Sequence, residues 1–173
     1  MRIYTAVLTA ALAVSASPLI STAHAASSDE WQRDPASVTT GSCTIKKTEY
    51  ALAANSEDQS TSTTFVNLGD AGAITFNQKK TGCVAGTFFA NAGNTSTGTD
   101  HVRLQVLLDN VSCTPLGGGY RFANTGTDFS SHAAAFFCGA SVATGRRTIQ
   151  VQYSSELGAN VQIFQRTLEV THD

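Results

Sequence analysis

Apolar residues in this chain recur at every second position, and no segment sustains a 3.6-residue repeat. Val102, Leu104, Val106 and Leu108 alternate with His101, Arg103, Gln105 and Leu107. Ile149, Val151 and Tyr153 alternate with Thr148, Gln150 and Gln152 in the same way. A period of two puts successive side chains on opposite faces of an extended strand, one face buried and the other wet. Val161 and Ile163 share one phase, whereas Leu168 and Val170 take the other, so a bulge or short loop is expected between Phe164 and Arg166. Turn residues interrupt the alternation at short intervals: Gly69-Asp70-Ala71-Gly72, Lys79-Lys80 with Gly82, Asp109-Asn110, Pro115 to Gly119, and Gly145.

The remaining segments fit the same scheme. Thr44 to Leu52 reads as a strand, and Asn55 to Thr64 as a polar loop. Phe65, Val66 and Leu68 form a short strand before Ala73-Ile74-Thr75-Phe76. In Cys83 to Asn91, Val84, Gly86, Phe88 and Ala90 share one face and Phe89 takes the other. Tyr120 to Ala123 is a further strand, and Ser131 to Cys138 is too short between loop signals for a helix. Eight or nine short strands result. Two packed antiparallel sheets, an all-β, jelly-roll-like sandwich, are the economical arrangement.

Fourteen Gly and many Thr, Ser and Asn suit such a fold, and a length of 173 residues suits one domain. With 11 basic and 13 acidic residues, the chain lacks the cationic stripe that displaces counterions from nucleic acid. Residues 1–25 read as a secretory signal: Arg2, an apolar run from Ala6 to Val14, Pro18, then Ala23-His24-Ala25. That run is too short to span a bilayer. Residues 26–42 form a polar leader around Trp31, and 43–173 the sandwich domain. A secreted or periplasmic location is expected. Cys43, Cys83, Cys113 and Cys138 all follow the signal, and in an exported chain an even count points to disulfides. Three connectivities are open, of which the sequential one, Cys43–Cys83 with Cys113–Cys138, is preferred.

Val102-Arg103-Leu104-Gln105-Val106-Leu107-Leu108-Asp109 is similar to the central strand of small exported bacterial β-sandwich proteins. Thr148 to Tyr153, followed by Arg166 to Val170, resembles their closing hairpin, and Thr63-Thr64-Phe65-Val66 their opening strand. The resemblance runs from about Phe65 to Val170 and does not include the four cysteines. The layout of those proteins looks like the jelly roll of tumour-necrosis-factor-like and complement-globular-head domains. This implies a compact sandwich able to self-associate, often as a trimer. It transfers no catalytic residue.

Chemistry-bearing groups are scattered. His101, His132 and His172 lie far apart in sequence, with no paired-histidine metal motif, so neither a metal nor a cofactor is expected. Ser130 and His132 share a strand face, but no nucleophile elbow surrounds either serine. The acids, among them Asp70, Asp100, Asp109, Asp128 and Glu156, fall mostly in expected turns. Tyr120, Arg121, Arg146 and Arg147 are candidate binding residues at turns. Tyr50, Tyr120, Tyr153 and Phe164 are the aromatics that could stack on sugars. Three functions follow as alternatives. The first is an exported non-enzymatic module that binds a glycan or a protein, or self-assembles. The second is a small secreted hydrolase using His132 or loop carboxylates. The third is a structural homo-oligomer that buries one apolar sheet face containing Leu107 and Phe89.

Overall fold

The computed structural model describes residues 47–95, 100–116, 119–123 and 129–173. The expected signal, the leader and Cys43 lie outside the described residues. Every regular element among those residues is a strand: β1 (Lys47–Ser60), β2 (Val66–Asn67), β3 (Ala73–Gln78), β4 (Gly82–Asn94), β5 (Val102–Leu108), β6 (Val111–Ser112), β7 (Tyr120–Ala123), β8 (Ser130–Val142), β9 (Gly145–Ser155) and β10 (Val161–His172). All pairings are antiparallel.

One sheet has the order β1-β10-β4-β8; the other is β2-β9-β5-β6, with β3 also on β9 and β7 also on β5. Taken as one interrupted strand each, β2 with β3 and β6 with β7 reduce the ten to eight. The sheets then run first-eighth-third-sixth and second-seventh-fourth-fifth. That is the order of a long antiparallel ribbon rolled on itself, the jelly roll.

The alternation read from the sequence sets the inner faces. Val102, Leu104, Val106, Ile149 and Val151 from one sheet meet Val84, Phe88, Leu168 and Val170 from the other, all fully buried. Each such side chain contributes roughly 1.5–3 kcal/mol of burial. The Asp109-Asn110 turn has φ of 48° and 69°, the positive pair that a two-residue type I′ hairpin requires. Gly72 N–H donates to Gly69 O at 2.8 Å and closes the turn before β3.

The phase change in β10 is a bulge. Against β4, Phe164 pairs with Asn91 and Thr167 with Phe89, so Gln165 and Arg166 stand opposite one residue. Gln165 takes φ of 47°. Arg166, which belongs by phase to the apolar interior, is 1% exposed. Its Nη2 lies 2.5 Å from Asp58 Oδ2, its Nε donates to Asp70 O, and its Nη1 donates to Ile163 O at 3.2 Å. Asp58 also accepts from Gly69 N–H at 3.2 Å. Burial, with Asp58 nearby and partly offset by Arg166, pushes the Tyr153 hydroxyl up to about 12, so it stays protonated.

Several expectations are corrected. Asn55 to Ser60 is not a loop: β1 continues through it, because β10 supplies backbone partners and the polar side chains face water. The strand around Phe65 shrinks to Val66–Asn67, while β8 extends to Val142. Asp58 lies on a strand rather than in a loop.

Cys113 and Cys138 form a disulfide across a separation of 25 residues. Together with paired hydrogen bonds between Thr114 and Phe137, each 2.8 Å, it fastens the β5–β6 edge of one sheet to β8 of the other. Cys83 is disulfide-bonded as well.

Two stability measurements follow. Asp58→Ala leaves a buried guanidinium unpaired and should cost about 3–5 kcal/mol in urea unfolding. Arg166→Met leaves a half-exposed carboxylate instead, and should cost less. Replacing Cys113 and Cys138 together by Ser should lower stability by about 3 kcal/mol through the released loop.

Candidate functional site

The two outer faces of the sandwich differ in kind. On the β2-β9-β5 face the polar side chains satisfy one another. Gln105 Nε2 donates to Gln152 Oε1, Gln152 Nε2 donates to Asn67 Oδ1 at 2.7 Å, and the Thr75 and Thr148 hydroxyls lie 3.0 Å apart. Gln150 Nε2 bonds to backbone carbonyls of the β2–β3 turn. Such a face offers a ligand few unused groups.

The outer face of the β1-β10-β4-β8 sheet carries aromatic side chains and, among its charged groups, the carboxylates of Glu57 and Glu169. Its rows follow from the ladder register. Tyr50, Glu169, Thr87 and Ala135 form one row; Leu52, Thr167, Phe89 and Ala133 form the next. Tyr50 is 66% exposed, Leu52 73% and Phe89 45%. Beyond the bulge, Phe164 stands in line with Asn91 and Ser131. The Phe129 ring meets Phe164 edge-on, with centroids 5.1 Å apart. The Ser131 hydroxyl donates to Asn91 Oδ1, whose amide donates in turn to Gln165 Oε1. Tyr50 and Phe89 are two strands and one row apart, about 12 Å by strand spacing and rise. This face can stack apolar surface on two rings, with the Thr87 and Thr167 hydroxyls and the Glu169 carboxylate between them to hydrogen-bond.

The other candidates fall elsewhere. Tyr120 points to the interior, packed against the core, and burial raises its hydroxyl above the ordinary value. Tyr153 is buried at 2% exposure and unavailable for stacking, whereas Tyr120 is partly buried. Arg121 Nη2 lies 2.9 Å from Glu156 Oε1, and His101 Nδ1 lies 2.9 Å from Glu156 Oε2. Arg147 donates to Asp109 Oδ2 and to the carbonyls of Ala143 and Thr144, bracing the β5–β6 turn against the β8–β9 turn. Arg121 lies alongside Arg103, which pairs with Ser154 of β9, whereas Arg146 opens that strand. The two pairs therefore stand near opposite ends of the sheet and do not form one site. Leu107 and Phe89 belong to different sheets and face outward from opposite sides, so no single sheet face contains both.

His132 Nε2 lies 2.8 Å from Ser130 Oγ, and burial holds the imidazole below its ordinary value. Among the described residues no carboxylate pairs with His132, and Glu156 is held by Arg121 and His101. No group of three His, Cys, Asp or Glu able to hold a metal occurs among the described residues, and no helix there is long and apolar enough to cross a membrane.

No protein-family model and no curated protein sequence matches the chain. Solved structures with a similar arrangement include the CBM36-1 domain of a multidomain xylanase from the hindgut metagenome of Trinervitermes trinervoides. It is 12% identical, with 72% of this chain and 96% of that chain covered and a TM-score of 0.37. The C-terminal CBM6 of LamC, a marine laminarinase from Zobellia galactanivorans, is 12% identical over 72% of this chain and 99% of that chain, with a TM-score of 0.31. Dimeric latent PorU from Porphyromonas gingivalis is 9% identical over 77% and 14%, with a TM-score of 0.33. These similarities give no residue of this chain a role.

The fold holds the carboxyls of Asp100 and Glu156 below their ordinary values. Burial alone would raise Asp100. Bonds from the Ser155 hydroxyl and from the amides of Ala159, Leu157 and His101 outweigh it and hold the carboxyl below the ordinary value. The Arg121 hydrogen bond lowers Glu156 against its own burial. Carboxyls depressed in the fold stabilise it above their ordinary pKa, and that contribution is lost as pH falls through the lowered values. Urea midpoints should therefore drop on acidification below about pH 4, and an Asp100→Asn, Glu156→Gln variant should show a shallower drop.

Proposed function

We propose that this protein is an exported, non-enzymatic glycan-binding module. Its binding surface is the outer face of the β1-β10-β4-β8 sheet. One observation carries the reading: Tyr50 and Phe89 present exposed rings from one sheet face on which Thr87, Thr167, Asn91 and Ser131 stand with Glu57 and Glu169. An aromatic ring on a flat surface stacks on the apolar face of a sugar, and surrounding hydroxyls and amides bond to its edge. The carboxylates of Glu57 and Glu169 repel a sulfated or phosphorylated polymer and so favour a neutral polysaccharide. Export is supported by the Cys113–Cys138 disulfide, since such bonds persist in oxidising compartments.

Affinity electrophoresis against a panel of neutral polysaccharides, followed by calorimetry on any that retard the protein, tests this. Tyr50→Ala and Phe89→Ala should each weaken binding by about tenfold or more, a loss of about 1.4 kcal/mol each. Both side chains are exposed, so the unfolding midpoint should hold. Retardation unchanged in both variants, or absent across the panel, overturns the assignment. A wild-type native mass above that of a monomer, reduced by Leu52→Ser with Phe89→Ser, would instead assign the face to self-assembly.

A further inference from the structure

The outward phase of β4 runs Phe89, Asn91, Gly93. At the third position the strand carries no side chain of its own, and the ring of Phe129, the residue before β8, occupies the space. A Cβ at Gly93 would stand 2.8, 3.4 and 3.1 Å from Cδ1 and from the two carbons bonded to it, Cγ and Cε1. A ring standing on its edge would turn one carbon to that point and hold its neighbours well back. Three adjacent carbons at similar distances mean that the ring lies with one face against the backbone. Only glycine allows so close an approach. Phe129 is nonetheless 37% exposed, and the face turned away from the sheet is the one open to solvent.

The neighbours of this ring complete a track along β4. Phe164, paired with Asn91 across the ladder, meets Phe129 at 62° with centroids 5.1 Å apart, so it stands upright beside a ring that lies down. Asn91 separates Phe89 from Gly93. Its amide accepts from Ser131 and donates to Gln165, and each end has capacity for a second bond. From Phe89 to Gly93 is four residues of one strand, about 13 Å by strand rise. An exposed ring, a hydrogen-bonding amide and a second ring face therefore follow one another in line, with Phe164 as a wall along one side.

A single sugar cannot touch both ends of such a track, whereas several linked sugars can. Resting on the reading of this face as a glycan-binding surface, we propose that Phe129 is a further stacking position. The ligand is then a stretch of several linked neutral sugars lying along β4, not a free sugar. Gly93 is a positioning residue that lets the ring lie down.

Calorimetry on the full chain with neutral gluco-, xylo- and manno-oligosaccharides, each from disaccharide to hexasaccharide, tests this. In the series that binds, affinity should rise about tenfold with length. Phe129→Ala should abolish that rise and leave the disaccharide affinity unchanged, a split that a merely structural phenylalanine would not produce. Phe129→Tyr keeps a ring and should keep the rise. Gly93→Val, which pushes the ring off the sheet, should act like Phe129→Ala. Affinity independent of length, an equal loss at every length in Phe129→Ala, or a series unaltered by that substitution would each overturn the proposal. If Phe89→Ala weakens binding while Phe129→Ala does not, this inference falls and the reading of the face stands. No binding in any series overturns both.

Discussion

The buried ion pair of Arg166 with Asp58 lets a single strand serve the core in two phases. Before the bulge in β10, Val161 and Ile163 point inward; after it, Leu168, Val170 and His172 do. Had the strand run straight, the second half would have turned Thr167, Glu169 and Thr171 into the core and left two large aliphatics in water. The extra residue prevents that, at the cost of one polar side chain at the crossover. Arg166 is long enough to bring its charge to Asp58 and its remaining donors to the carbonyls of Asp70 and Ile163. The pair therefore joins β1, the β2–β3 turn and β10.

The character of the outer faces follows from this arrangement. The bulge sets which β10 residues accompany Tyr50, Leu52 and Phe89, and it supplies Thr167 and Glu169 rather than aliphatics between the rings. The opposite sheet has more hydrogen-bonding groups on its outer face, yet they are engaged in a ladder of amides and hydroxyls. Recognition depends less on how many polar groups a surface carries than on how many remain unpaired. On the aromatic face the exposed rings of Tyr50 and Phe89 stand outside any such ladder.

Alternation was legible wherever it was strict. The four central strands of the sandwich, β4, β5, β9 and β10, the Gly69–Gly72 and Asp109-Asn110 turns and the slip in β10 all follow from residue types at spacings of one or two. Expectation failed where polar residues occupied strand positions. Asn55 to Ser60 is polar because β1 is an edge strand, paired on one side only, and its exposed side chains need no apolar pattern. Arg166, Gln78 and His172 were not read as interior residues for a related reason. Each continues an inward apolar phase with a polar side chain: Ile74, Phe76, Gln78 on β3 and Arg166, Leu168, Val170, His172 on β10. A polar residue in an apolar phase was the available signal.

The sequence by itself determined the strands, the buried side of each and the positions of their turns, because those depend on local steric preference and on a two-residue period. Which strands became neighbours was decided only in the tertiary structure. Leu107 and Phe89 look equivalent as outward apolar residues, yet rolling the ribbon places them on opposite sides of the molecule. Tyr50 and Phe89, separated by 38 residues of chain, arrive on one face because β10 lies between β1 and β4. Sequence periodicity specifies a face for each strand, whereas a site requires several strands in register, and register is settled by long-range packing and pairing.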